Sequence, residues 1–172
     1  MTTPLFENLL GALGLLIVDE VDDALAAASG IGSSSQAALL GIDTYASCTI
    51  DQLRTALGLS HAAAVRCVAA LVEAGWVHKG QGGDKRSVAL ELTAEGRRLQ
   101  RQLQAARAKA LRRLGDALTA PERQQFEALA RKLLRHATRD ESHGMRLCRL
   151  CDCGPCLGAN CPVEGKLQGW AE

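Results

Sequence analysis

The strongest constraint on the fold is a pair of short predicted helices that follow each other across a turn of a few residues. Thr49-Ile-Asp-Gln52 matches a capping box, which opens a helix, and Gly58 fits its C-terminal end. Ser60 can cap a second helix that runs to about Ala74 and ends at Gly75. Two helices joined by three or four residues that include a glycine form a helix-turn-helix. We therefore expect this motif in the middle of the chain.

A β-hairpin is predicted directly after the second helix. Residues 76–79 and the alternating segment 87–92 are typical of strands, and Gly80-Gln-Gly-Gly-Asp84 joins them as a basic, glycine-rich tip. Apolar stripes at helical spacing predict longer helices on both sides of this unit, over about 5–28 before it and about 93–118 and 120–136 after it. Only 3% of the residues are aromatic, which favours a helical core over a β-sandwich. The expected fold class is mainly α with a small β-hairpin.

The charges are unevenly distributed along the chain. The first 53 residues hold seven acidic residues and no Lys or Arg, whereas all 20 basic residues follow from Arg54 onward. A formal net charge of +1 therefore conceals a basic region, which is the usual footprint of a nucleic-acid partner. The apolar run Leu9–Val18 is too short to span a bilayer and has no basic segment before it, so we expect a cytoplasmic protein without a membrane partner.

Four segments of this sequence resemble the MarR family of bacterial regulators. They are Leu59-Ser-His-Ala-Ala-Ala-Val-Arg66, Leu71-Val-Glu-Ala-Gly75-Trp-Val77, Asp84-Lys-Arg86-Ser and Leu92-Thr-Ala-Glu-Gly96. The resemblance covers roughly residues 8–138 and implies a homodimeric winged helix-turn-helix repressor whose first and last helices interlock. It also implies a double-stranded DNA partner with a pseudo-palindromic operator, and a small-molecule effector that binds between the core and the wing.

The second helix of the motif is the expected recognition helix, because a helix fits the DNA major groove with its N-terminal residues nearest the base edges. This places Ser60, His61, Ala63 and Arg66 toward DNA. Since the helix is rich in alanine, direct base readout is expected mainly from His61 and Arg66.

The wing supplies the other expected DNA contacts. Lys79 and Lys85 are expected on phosphates, and the resemblance implies that Arg86 enters the minor groove and that Asp84 braces it.

These features divide the chain into five expected segments. An N-terminal dimerisation helix (1–30) precedes the winged helix-turn-helix (31–96) and the C-terminal dimerisation helices (97–138). A polar linker (139–147) and a cysteine-rich metal-binding or redox tail (148–172) follow.

The tail concentrates five of the seven cysteines in 14 residues, which in a cytosolic protein indicates metal or redox chemistry. The spacing Cys148-x2-Cys151-x4-Cys156-x4-Cys161 is that of a zinc knuckle with cysteine in the usual histidine position, so these four are the expected ligands of a structural Zn²⁺. Cys153 is then a substitute ligand or a reactive thiol.

Two other interpretations of the tail stay open. Closely spaced cysteines that end in Cys161-Pro162 are also compatible with an iron–sulfur cluster, and metal-free thiols could form a redox switch. His143 is an alternative ligand, whereas Cys48 and Cys67 are expected to act as small hydrophobic residues.

We find no constellation typical of catalysis and expect no enzyme. The alternative function is a redox or metal-handling protein that uses the winged helix for dimerisation. RNA binding by the tail is disfavoured, because no aromatic residue lies between its cysteines.

Overall fold

A computed structural model of the chain describes residues 3–44, 48–81, 88–156 and 161–167. Eight α-helices and two strands follow one another within these ranges. They are α1 (Pro4–Ser29), α2 (Ser33–Ile42), α3 (Ile50–Leu57), α4 (His61–Glu73), β1 (Val77–Gln81), β2 (Val88–Leu92), α5 (Ala94–Gly115), α6 (Ala120–Ala137), α7 (Glu141–Cys148) and α8 (Pro162–Leu167). A 3₁₀ turn, Gly154–Cys156, lies between α7 and α8. The predicted class, mainly α with a small hairpin, is confirmed.

The helix-turn-helix forms where its local signals predict it. The Thr49 hydroxyl accepts a hydrogen bond from the backbone N–H of Gln52 at 3.2 Å, and the Gln52 side chain accepts one from the Thr49 N–H at 2.9 Å. Gly58 ends α3 and Gly75 follows α4, with φ angles of 65° and 74° that favour glycine. The turn between α3 and α4 therefore has the expected length and position.

The hairpin is an antiparallel pair in which Val77 lies opposite Leu92. Thr93 fixes its base, because its hydroxyl donates to the carbonyl of Gly75 at 2.7 Å and its N–H donates to the carbonyl of Trp76 at 3.0 Å. The first turn of α5 then passes so close to this carbonyl that a Cβ on Gly96 would overlap it. The hairpin and α5 are thus held together by a backbone approach that only glycine permits.

The core lies where α1, α2 and α5 meet the helix-turn-helix. Its largest fully buried side chains are leucines of five different helices, namely Leu25, Leu39, Leu40, Leu53, Leu71 and Leu103. Helix α1 packs along α5, and Gln102 of α5 donates to the carbonyl of Ala28 at 2.6 Å. The helix-turn-helix and the long helices therefore share one hydrophobic core.

The segment expected to be a polar linker, residues 139–147, is instead largely helical, since it contains most of α7. The Asp140 carboxylate caps this helix by accepting a hydrogen bond from the His143 N–H at 2.8 Å. Helix α7 packs against α3, and Leu150 after it packs on the main core. Packing against α3 and α8 supplies the stability that a helix of eight residues lacks alone.

Within the described ranges no single helix is long and apolar enough to cross a membrane. Helices α3 and α4 reach that length and composition only when taken together, and they are bent by 112°.

Candidate nucleic-acid interface and cysteine cluster

Helix α4 presents one face to the core and the other to solvent. Ala64, Val68 and Leu71 are almost fully buried, whereas His61 and Arg66 are exposed. Of the predicted contact residues, Ala63 is half-buried and Ser60 is exposed at the start of the helix. The Ser60 hydroxyl accepts a hydrogen bond from the Ala63 N–H at 3.2 Å, so its first role is to cap α4.

One exposed residue of this face was missed by the sequence reasoning. Val65 is 41% exposed and lies one helical turn after His61, next to Arg66. An exposed valine in this position can contact a thymine methyl group. Its spacing of four residues from His61 is the signal that could have identified it.

The hairpin places Lys79 on the exposed surface of β1. Its neighbour His78 lies opposite Glu91 in the strand register, with 3.2 Å between Nε2 and Oε2. The other predicted wing residues, Asp84, Lys85 and Arg86, lie outside the described residues.

Two of the six arginines of α5, Arg98 and Arg113, contact acidic side chains in the described part of the chain. Arg98 pairs with Glu95 at 2.9 Å within the helix, and Arg113 pairs with Glu20 of α1 at 2.5 Å. Both arginines are well exposed, so these pairs contribute little to stability. They do place acidic charge beside the basic residues of α5.

The cysteine tail folds back onto the rest of the chain. Cys148, Cys153, Cys156 and Cys161 line one cavity of about 600 Å³. Cys151 does not line this cavity, but its sulfur forms a hydrogen bond with that of Cys148. The structure therefore brings three of the four predicted ligands to one cavity and adds Cys153 to them in place of Cys151.

His143, which the sequence suggested as an alternative metal ligand, does not line this cavity. The Nδ1 atom of His143 accepts a hydrogen bond from the Arg139 N–H at 3.3 Å. Among the described residues, no three His, Cys, Asp or Glu side chains stand in a geometry that coordinates a metal ion.

Among the cysteines of the described residues, Cys151 has a lowered thiol pKa, whereas the pKa is raised at five others, namely Cys48, Cys67, Cys148, Cys153 and Cys156. The hydrogen bond from Cys148, with a smaller effect of the Arg107 guanidinium, lowers the pKa of Cys151, while the same bond and burial raise the pKa of Cys148. By contrast, burial raises the pKa of the Cys48 thiol to about 11 and also raises the pKa of Cys67. Cys48 and Cys67 are thus poor nucleophiles.

Comparison with curated proteins identifies a transcriptional repressor as a relative of this chain. The chain is 30% identical to the transcriptional repressor MprA of Escherichia coli over 123 residues, which cover 70% of each chain. No family model matches the sequence.

Solved structures give the same result. The structure resembles MarR of E. coli (apo form) with a TM-score of 0.62 at 26% identity, over 78% of this chain and 99% of that one. It also resembles the Mycobacterium tuberculosis MarR-family protein Rv2887 with a TM-score of 0.60 at 27% identity, over 76% of this chain and 98% of that one. These relatives are transcriptional regulators rather than enzymes, and the match to nearly all of MarR leaves part of the present chain without a counterpart there.

The sequence identity to MprA, the bent α3–α4 pair and the hairpin all indicate the same family. The chain belongs to the MarR family of winged helix-turn-helix transcriptional regulators.

Proposed function

We propose that this protein is a dimeric repressor that binds a pseudo-palindromic operator in the cytoplasm and leaves it when an effector binds. The observation that carries the proposal is the exposed face of α4, which presents His61, Val65 and Arg66 beside the hairpin. The opposite face is anchored in the core, so α4 can enter a major groove without unfolding. The repressor role is supported by the similarity to MprA.

The contacts of α4 divide into two kinds. The Arg66 guanidinium can bind the O6 and N7 atoms of a guanine. His61 can donate a hydrogen bond to an acceptor on a base edge, and Val65 can contact a thymine methyl group. Lys79 on β1, together with Lys85 and Arg86 of the wing, supplies positive charge for phosphates and the minor groove. Few polar base contacts are available, so DNA shape and phosphate contacts carry much of the specificity.

The dimer is supported by apolar residues that the single chain leaves exposed. On α1, Leu5, Leu9 and Leu15 are 66%, 61% and 68% exposed, and α6 has no buried residue although it carries several large apolar side chains. Exposed apolar surface of this extent is typical of a protein interface. A second copy of the chain would bury it and place two α4 helices about one turn of DNA apart.

The operator is identified by selection from random-sequence DNA duplexes with the purified full chain. We expect enrichment of one sequence with two inverted half-sites. Binding without enrichment of any sequence, combined with turnover of a disulfide substrate, would contradict the proposal and favour the redox or metal-handling alternative.

Replacing Arg66 or Arg86 by alanine is expected to weaken binding to the selected operator by about tenfold. Where the lost contact is to a phosphate, the plot of log affinity against log salt concentration also becomes less steep by about one unit. Fluorescence anisotropy at several salt concentrations measures both quantities. The matched control is Arg101→Ala, because Arg101 is an exposed arginine of α5 that lies on neither α4 nor the hairpin. Unchanged affinity and slope in a folded Arg86→Ala protein would contradict the assignment of the wing.

The effector we propose to test first is a small aromatic acid, because Rv2887 has been crystallised in complex with p-aminosalicylic acid and with salicylic acid. Salicylate added to the repressor–operator complex is expected to lower the affinity for DNA. We also propose that the state of the cysteine cluster modulates DNA binding. Fluorescence anisotropy of the operator complex with and without salicylate distinguishes the response to a small ligand from the response of the cluster. Release of DNA by salicylate from a chain without the tail would assign this response to the dimer core.

A further inference from the structure

The thiols of the tail converge because short turns reverse the chain between them. The Cys151 N–H donates to the Cys148 carbonyl at 2.9 Å, and the Cys156 N–H donates to the Cys153 carbonyl at 3.0 Å. The sulfur of Cys161 accepts a hydrogen bond from the Glu164 N–H at 3.4 Å. These turns bring residues from a span of 14 positions to the wall of one cavity. None of these five cysteines belongs to the buried hydrophobic core, so their convergence is not explained by core packing.

The chemistry of the cavity favours a soft metal. Four thiols line it, and the carboxylates of Glu141 and Glu164 are the acidic groups beside them. Four thiolates are typical ligands of Zn²⁺ or of an iron–sulfur cluster, whereas Mg²⁺ and Ca²⁺ require mainly oxygen ligands. Because no three of these groups stand in coordinating geometry in the described residues, a bound centre would draw the thiols inward to about 2.3 Å from a zinc ion.

The elements that carry these thiols connect the two functional parts of the protein. Helix α7, which ends at Cys148, packs against α3 of the helix-turn-helix. Helix α8, which follows Cys161, packs against α6, the helix that carries exposed apolar residues. The Cys151 carbonyl also accepts a hydrogen bond from Gln104 of α5 at 3.0 Å. Any inward movement of the four thiols therefore acts on α3 and α6 together.

We propose that Cys148, Cys153, Cys156 and Cys161 bind a metal centre through four thiolates, and that this centre fixes α3 relative to α6 and so controls DNA affinity. The occupant is a single Zn²⁺ or an iron–sulfur cluster. When Zn²⁺ binds, four S–H bonds break, four Zn–S bonds form and the protons pass to solvent, so neither the metal nor the protein changes its oxidation state. The second part of this inference rests on the proposed repressor function, whereas the first part does not.

The metal site is tested on the full chain purified without oxygen, by metal analysis and absorption spectroscopy. About one zinc per chain without a visible band, or iron with acid-labile sulfide and a visible band, supports the site and identifies its occupant. A chain with neither metal is titrated with Zn²⁺ and with Co²⁺, whose spectrum reports thiolate ligation. Failure to bind either ion overturns the proposal.

Matched serine variants test the ligand set. Cys153→Ser is expected to weaken Zn²⁺ binding by more than about tenfold, whereas Cys151→Ser retains it. Cys67→Ser, which removes a thiol from α4 outside the tail, controls for the loss of one cysteine. Circular dichroism confirms that the helices persist, since the substituted tail residues lie outside the core. If Cys151→Ser loses the metal and Cys153→Ser keeps it, the assignment from the cavity is overturned.

The control of DNA affinity is tested with the same preparations on the selected operator. Loaded and metal-free protein are expected to differ in affinity by about tenfold or more, and the difference should disappear in Cys153→Ser. Equal affinities of two preparations with measured, different metal contents would overturn the coupling. If neither preparation binds DNA, the repressor proposal fails, while the metal content still shows whether the cysteines bind a metal.

Discussion

Replacing Leu129 by aspartate is expected to produce a monomer whose affinity for the operator is lower by about 100-fold or more. Leu129 is 59% exposed on a face of α6 that also carries Phe126 and Leu133. In the dimer proposed above, a carboxylate at this position would be buried without a partner, which costs several kcal/mol. A monomer has one recognition helix and reaches only one half-site. Sedimentation velocity measures the mass, and fluorescence anisotropy measures the loss of affinity.

The control for this substitution is Gln124→Asp. Gln124 is also exposed on α6 but lies about 140° around the helix from Leu129, away from the apolar face. It introduces the same charge into the same helix, so it should preserve the dimer and its DNA binding. A dimeric Leu129→Asp protein would show that this face of α6 is not the interface.

Replacing Gly96 by alanine is expected to lower the free energy of unfolding by about 3 kcal/mol. The added Cβ would overlap the backbone carbonyl of Trp76, which is held in place by the N–H of Thr93. Because the obstacle is backbone rather than a flexible side chain, the hairpin and α5 would have to move apart. Urea denaturation at a fixed protomer concentration measures the change, since the stability of a dimer depends on concentration.

Gly115 provides the matched control on the same helix. It ends α5, and no atom lies within 4 Å of a Cβ built on it, so Gly115→Ala should leave stability unchanged or raise it slightly. The two substitutions add the same methyl group to a helical glycine. Equal stabilities of Gly96→Ala and Gly115→Ala would contradict the role of the close approach to Trp76.

The helix-turn-helix could be predicted from the sequence because its signals are local. The capping box at Thr49, the left-handed glycines Gly58 and Gly75, and the cap at Ser60 each act within four residues of where they stand. The buried side of α4 follows from helical spacing alone. The exposed Val65 was missed although its spacing of four residues from His61 places it on the solvent side, because an apolar side chain by itself does not indicate a surface position.

Helix α7 could not be predicted because its stability comes from tertiary contacts. It contains Gly144, a poor helix former, yet that glycine is buried, and a Cβ there would meet Val163 at 3.0 Å. The same residue that weakens the helical signal allows α8 to approach. Its Asp140 cap was present in the sequence, but its two large apolar residues, Met145 and Leu147, stand two positions apart and form no stripe at helical spacing.

The choice between Cys151 and Cys153 also depends on three-dimensional position. Residue spacing alone favours Cys151, since it completes the zinc-knuckle pattern. In the folded chain the Cys151 thiol forms a hydrogen bond with the Cys148 thiol, while the sulfur of Cys153 lies 3.8 Å from the hydroxyl of Thr44, just after α2, and lines the cavity. A pattern along the chain cannot report which side of a turn faces a cavity.

The separation of charge between α1 and the DNA-binding unit has a kinetic consequence. Helix α1 carries five acidic residues and no basic ones, whereas Arg66 and Lys79 lie exposed on α4 and β1. The positive charge that stands exposed on α4 and β1 is attracted by the DNA phosphates, so encounters that present this face of the molecule are favoured. Dilute salt should therefore accelerate the search for the operator by improving the orientation of each encounter, in addition to strengthening the final complex.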